Sequence, residues 1–351
     1  MAEAPTAASS SLQPWLQRVA ETPPWSPCRL ALAIAAGLFA LLFALEWSLG
    51  RLPLAFGVAT EREEIYAQVN FRLALVLILL QAYLPAAYAY GVRGARRTVE
   101  EVRPWLRATG VDPAQLVATV GAFDPGRLRL AGAMGIAVSI AIPFWIDRDP
   151  SAWAFWRYPV EPIFQRVLLL ATGWMGGRFL YSVWVESRRL SQLSRDRIEV
   201  DLLDLRSFAP LTRQGLRYAL LTVGVISILA LNLFDYEKRG IFSVVLVASG
   251  LVVASGAAAL LLPLRGAHAA IIAAKRAELD WCDAELRRSR AAAPGARTLG
   301  DLVAWRALVA AVQEWPLDAP TLRRFFLYLA IPLGSWLGGA FVGHVIDVLL
   351  R

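Results

Sequence analysis

The side chains through which this chain could do chemistry are few. His268 and His344 are its two histidines, and neither stands in a metal-ligand spacing such as H-E-x-x-H. The sequence holds no Walker A loop, no G-x-G-x-x-G after a strand and no C-x-x-C pair, so neither a metal nor a cofactor is expected. Ser249 and Ser255 stand in two Val-Ala-Ser-Gly segments, 247–250 and 253–256. With Gly250 and Gly256 they read as small residues that let a neighbouring helix approach closely.

The other candidates are polar groups set inside apolar runs, where ionisable residues are costly and often functional. Ser335, Gly339, Gly343 and Asp347 recur every four residues near the C-terminus, with Gly334 and Gly338 alongside and Pro332 just before. On a helix the four form one sloping stripe of small and polar groups. Such a stripe either packs closely against another helix or lines a pore or substrate path. His344, three residues from Asp347, could hydrogen-bond it or meet the membrane interface. Arg178 lies 14 residues into its run, about 21 Å along a helix. It either snorkels to headgroups or serves a salt bridge or pore. Gln81, near the middle of its run, makes an interhelical hydrogen bond or a ligand contact. Glu46, within a turn of its run's end, is expected to reach water.

The elements that must position these groups are apolar helices. Of the 351 residues 57% are hydrophobic and 18% charged, with mean hydropathy +0.49, against about 25% charge for a soluble domain. Seven apolar runs approach the roughly 20 residues that a bilayer core requires: 29–49, 71–92, 128–146, 164–185, 214–234, 241–264 and 325–350. The fold class expected is therefore all-α: a polytopic membrane protein of seven transmembrane helices. The first run is too long for a removable signal peptide and lacks a small-residue cleavage site, so it is expected to stay as an anchor.

Arginine placement sets the orientation. With residues 1–26 as a cytoplasmic N-terminal segment, 26 basic residues fall on the cytoplasmic side and 9 on the other. Trp47, Trp145, Trp153 and Trp156 then fit an outer aromatic belt. The expectation is N-in, C-out, multi-pass, in a cell inner or plasma membrane. Only Lys238 and Lys275 among the 36 basic residues are lysines, a bias typical of a GC-rich bacterial genome. The net charge of +8 flanks apolar spans, which points to lipid headgroups as partner and away from nucleic acid. Cys28 and Cys282 both fall on the cytoplasmic side, so no disulfide framework is implied.

Residues 27–351 read as one transmembrane domain with helical cytoplasmic extensions at about 93–127, 186–213 and 265–324. Asp112-Pro113 opens an amphipathic helix to about Phe123. The fourth span continues through Glu186–Leu193, with no breaker before Pro210. The sixth runs on from Pro263, with Ile272, Leu279 and Leu286 at heptad spacing, for packing within the chain or a coiled coil between subunits. A turn at 292–296 follows, and Leu302, Trp305, Val309 and Val312 mark one face of a second helix before Trp315-Pro316. The extensions are expected to pack together as a helical bundle.

The Val-Ala-Ser-Gly segments superficially resemble the serine region of an intramembrane protease, but the glycine two residues before the serine is missing. No catalytic residue is assigned and no enzyme is expected. Pro263-Leu-Arg-Gly-Ala-His268, with Lys275-Arg-Ala-Glu-Leu279, resembles a junction of uncharacterised bacterial membrane proteins. Trp315-Pro-Leu-Asp318 leading to Arg324-Phe-Phe-Leu-Tyr-Leu-Ala-Ile-Pro332 does so too, and together they cover the last third of the chain. The whole topology resembles the insect odorant and gustatory receptor channels, without their tyrosine signature on the seventh helix; Tyr328 is too early in its run to serve. That resemblance implies a homo-oligomeric, cation-permeable channel that a ligand of unknown chemistry could gate, with Ser335, Gly339, Gly343 and Asp347 at the pore. The alternatives are a membrane transporter and a non-conducting sensor or scaffold.

Overall fold

The computed structural model describes residues 26–50, 62–106, 113–147, 160–231, 239–291 and 296–316, with 323, 325–327 and 330. Among them the regular secondary structure is helical, apart from one isolated antiparallel bridge between Leu106 and Ile198. The α-helices are α1 (Pro27–Ser48), α2 (Arg62–Val102), α3 (Pro113–Thr119), α4 (Pro125–Asp147), α5 (Val160–Asp196), α6 (Ala209–Ala230), α7 (Arg239–Ala291) and α8 (Ala296–Ala311). Three helical stretches are long and apolar enough to cross a membrane: Pro27–Ser48, Phe71–Trp105 and Val253–Ser289.

Local chemistry sets several boundaries. Ser26 caps α1, its hydroxyl accepting from the Arg29 N–H at 3.2 Å, with Pro27 in the first turn. Asp124 does the same for α4, accepting from the Gly126 N–H at 2.8 Å ahead of Pro125. Helix α3 stops at Thr119, four residues short of Phe123. Gly121 has φ +80° there, a left-handed turn that ends the helix and redirects the chain. Nor does α5 run on to Pro210. It ends at Asp196, and the Glu199 N–H donates to the Trp105 carbonyl at 2.9 Å as the chain crosses the end of α2. Pro210 then lies in the first turn of α6, a position that needs no N–H.

The long helices alternate in direction. Helix α1 is antiparallel to α2, with Leu30 against Ala89 at one end and Phe43 against Phe71 at the other. Helix α4 is antiparallel to α5 through small residues. A Cβ on Gly173 would stand 2.5 Å from the Gly135 carbonyl oxygen, and one on Gly177 would run into the Ala131 carbonyl. Ala131, Gly135 and Ser139 thus form an i, i+4, i+8 track on which the Gly173-x-x-x-Gly177 pair rides. Helix α7 packs along both α5 and α6, and Gly256 meets Thr222 of α6, as expected for that small residue. Among the described residues Gly250 has no heavy atom within 4 Å of its added Cβ, and Ser249 is not among the residues whose side chains are described.

Glu46 does not reach water. It is 2% exposed, because one α-helical turn places it beside Leu42 on the face that α1 turns to α2. One core gathers Ala95, Val99, Phe123, Leu190, Ile198, Phe208 and Ile271, so the ends of α2, α5 and α7 pack with the start of α6 as a bundle. Helix α8 folds back antiparallel on α7, with Val309 fully buried. The Arg306 guanidinium, 2.7 Å from Asp283, holds that carboxyl below its ordinary range. Ile272, Leu279 and Leu286 are half-buried.

Candidate functional site at the helix junction

The helices bring together a line of polar groups that ends in a buried carboxylate. Gln81 of α2 donates to the Leu168 carbonyl at 3.2 Å and to the Thr172 hydroxyl at 3.1 Å, bonding α2 to α5. Tyr83 donates to the Leu221 carbonyl of α6 at 2.9 Å. Two turns nearer the junction, Gln214 donates to the Gly91 carbonyl at 3.1 Å and accepts from Arg217. The bonds of Gln81, of Tyr83 and from Gln214 to Gly91 each join two helices, so the seam fixes their register. Arg178 is half-buried with its guanidinium 5.5 Å from the Trp174 ring centre, one turn back on α5, a cation–π contact within the helix.

Glu186 lies just past the apolar run of α5 and is fully buried. One carboxylate oxygen accepts from the Gly121 N–H at 2.9 Å and from Arg189 at 3.0 Å. Arg189 also donates to the Thr119 carbonyl and, through its other terminal nitrogen, to the Ala122 carbonyl, both at 2.8 Å. Its guanidinium lies 5.6 Å from the centre of the Phe123 ring. The pair therefore locks α5 onto the turn after α3, satisfying carbonyls that a helix end leaves open. Burial raises the Glu186 pKa above its ordinary 4.5, while the Gly121 N–H, Arg189 and Arg96 pull it back.

Arg189 also lines a groove of about 480 Å³ between the start of α4 and the middle of α5, with Arg127, Arg188, Trp184 and Tyr181. The i, i+3 spacing of Glu186 and Arg189 is the trace this site leaves in the sequence, and that spacing usually marks an exposed helical pair. Only their position at the end of an apolar run distinguishes them.

The segment after α8 is tied back to the bundle. His268 stacks on Trp315, ring centres 4.1 Å apart, and its Nδ1 is 2.8 Å from the Glu314 carbonyl. Lys275 donates to the Val312 carbonyl at 3.1 Å, and Thr212 to the Pro316 carbonyl at 3.0 Å. Phe325, at the start of the seventh apolar run, packs with Ala219, Leu260 and Leu264. Ser335, Gly339, Gly343, His344 and Asp347 lie outside the described residues. Cys28 is exposed and Cys282 buried, and both are free thiols. Among the described residues no three His, Cys, Asp or Glu side chains gather as a metal site would.

Fold and site thus define an all-helical protein with three helical stretches long and apolar enough to cross a bilayer, and an ion pair towards the end of α5 whose carboxylate is buried. Comparison with family models, with curated proteins and with solved structures returned no match.

Proposed function

We propose that the protein is a seven-span integral membrane protein, N-in and C-out, that assembles as a homo-oligomeric, cation-permeable channel. The observation that carries the membrane reading is α1. It is the most apolar of the candidate spans, yet only 11% of its most apolar 18-residue window is buried within the chain. Leu32, Leu41 and Trp47 are 71%, 53% and 76% exposed. A helix apolar on every face and uncovered by protein suits lipid and not water.

Helices α2, α5 and α7 have 41, 37 and 53 residues, or about 60, 55 and 80 Å, against about 30 Å of hydrocarbon. Their surplus lies at the arginine-rich end, where it packs with α3 and the start of α6. That arrangement supports the positive-inside orientation and resembles the anchoring bundle of the insect chemoreceptor channels. The runs in α4, α5 and α6 are proposed as the remaining described spans. Helix α5 carries Gln165, Arg166 and Arg178, which lower its apolarity, and it is paired along its length with α2, α4 and α7.

Topology is tested with reporters. One fused after Arg351 should be active only in its extracytoplasmic form, and one inserted near Ala293 only in its cytoplasmic form. Both on one side would remove the seventh span and the channel with it.

Conduction is tested at Asp347. In a symmetric oligomer with the seventh helices around the axis, Asp347 contributes one carboxylate per subunit to a ring at the outer mouth. Such a ring concentrates cations and disfavours anions. Asp347→Asn in planar bilayers should shift the reversal potential in a salt gradient towards lower cation preference, most strongly at low salt. An unchanged reversal potential in a conducting, assembled protein would take Asp347 out of the mouth. Absence of any wild-type current would favour the transporter.

A further inference from the structure

We infer that the groove between α4 and α5 holds the phosphate of an anionic phospholipid, with the lipid's chains lying along the outer face of α4. The inference rests on the membrane reading of these two helices. The groove is lined by Phe123, Asp124, Arg127, Tyr181, Trp184, Val185, Arg188, Arg189 and Gln192. Its volume of about 480 Å³ falls in the range of small-ligand sites, roughly 300–1,000 Å³.

Three arginines line it. Arg189 is fixed by Glu186 and the α3 turn, so it contributes a positive field and has little freedom to move. The more exposed pair is Arg127 and Arg188. Arg127 is 76% exposed and only loosely engaged by Asp124, at 3.6 Å, while Arg188 is exposed with its guanidinium 4.8 Å from the Trp184 ring centre. The Asp124 carboxylate is occupied in capping α4. Planar guanidiniums chelate phosphate oxygens in pairs, and an arginine already stacked on an indole is pre-aligned for that.

Two features favour a lipid over a soluble phosphate. The groove sits where two apolar runs meet their polar ends, 128–146 on α4 and 164–185 on α5, which is headgroup depth for a spanning pair. Trp184, 46% exposed, stands where interfacial indoles collect. From Arg127 an uncovered apolar stripe then continues along the same face of α4. Leu130, Met134 and Val138 are 62%, 64% and 56% exposed, three, seven and eleven residues on. A phosphate held at Arg127 and Arg188 places its acyl chains on that stripe, and a free phosphate makes no use of it.

The test uses the full chain in vesicles, first checked for incorporation by flotation. Phosphatidylglycerol with brominated chains quenches nearby indoles, so quenching is titrated against brominated phosphatidylcholine in mixed vesicles. The wild type should prefer phosphatidylglycerol roughly thirtyfold, about 2 kcal/mol, since each of the two arginines contributes about 1 kcal/mol beside an anionic lipid. Arg127→Gln with Arg188→Gln should bring the two lipids to parity, and both sites are exposed, so folding should survive. Met134→Asn should weaken retention of both lipids and leave the preference. Equal quenching by the two lipids in the incorporated wild type would overturn the site. So would full displacement of phosphatidylglycerol by inorganic phosphate or glycerol phosphate, which would mark a soluble-anion groove. Failure to float with vesicles would overturn the membrane reading itself, and the site along with it.

Discussion

Arg189→Ala should destabilise the protein by about 3 kcal/mol, more at neutral pH than in mild acid. Breaking a buried ion pair costs about 3–5 kcal/mol when the remaining charge has no substitute partner. Arg189 is 36% exposed, which argues for the low end. The loss is compounded because the Thr119 and Ala122 carbonyls lose their donor as well. Proton uptake by Glu186 limits the damage, and that gives the effect its pH dependence.

Burial already holds the Glu186 pKa above 4.5 in the folded chain. An acid raised by folding contributes stability that is full below its unfolded pKa and lost as pH rises through the folded one. Removing Arg189 deletes one of the influences that pull this pKa down, so the folded value climbs further and the loss extends to higher pH. Melting in detergent at pH 5 and pH 8 checks it. The variant should approach the wild type at pH 5 and fall away at pH 8. Glu186→Gln keeps an oxygen for the Gly121 N–H and should flatten the pH dependence in either background. A double-mutant cycle then isolates the pair. An Arg189→Ala cost independent of pH would contradict a buried, coupled carboxyl at 186.

Gly173→Leu should separate α4 from α5 and cost about 3 kcal/mol, at the upper end of overpacking penalties. The obstruction is backbone, since a Cβ at 173 stands 2.5 Å from the Gly135 carbonyl oxygen, and a main-chain carbonyl cannot rotate aside as a side chain can. A control lies three residues on, at Gly176, where an added Cβ meets nothing within 4 Å among the described residues. Gly176→Leu should melt no lower than the wild type, because leucine favours a helix over glycine by about 0.8 kcal/mol. Equal losses from the two substitutions would mean that added bulk anywhere on α5, and not the α4–α5 approach, sets the cost, since leucine favours the helix over glycine. Separation of α4 from α5 should also abolish the lipid preference, because Arg127 and Arg188 lie on opposite walls of the groove.

What the sequence determined by itself is everything governed by local periodicity. Apolar runs and the absence of a breaker predict that α5 continues past Val185 and α7 past Pro263, and both helices do so. The apolar face of α8 was legible from Trp305 and Val309, and the structure turns that face to α7, with Trp305 donating to Glu278 at 2.9 Å. Ends set by one turn's chemistry were harder, as Gly121 shows. Its left-handed conformation cut α3 short of Phe123, where amphipathicity alone carries on.

Only the tertiary structure decided which polar groups are buried. Glu46 and Glu186 each sit at the end of an apolar run, where a carboxylate reads as solvated. Both are buried because a neighbouring helix covers that face, and no periodicity within α1 or α5 specifies the neighbour. The Gly173-x-x-x-Gly177 spacing was present in the sequence as a packing signal, yet its partner track of Ala131, Gly135 and Ser139 lies about 40 residues away. A helix records its own faces in its residue order. What each face meets depends on the directions and crossings of other helices, and those arise only when the chain packs.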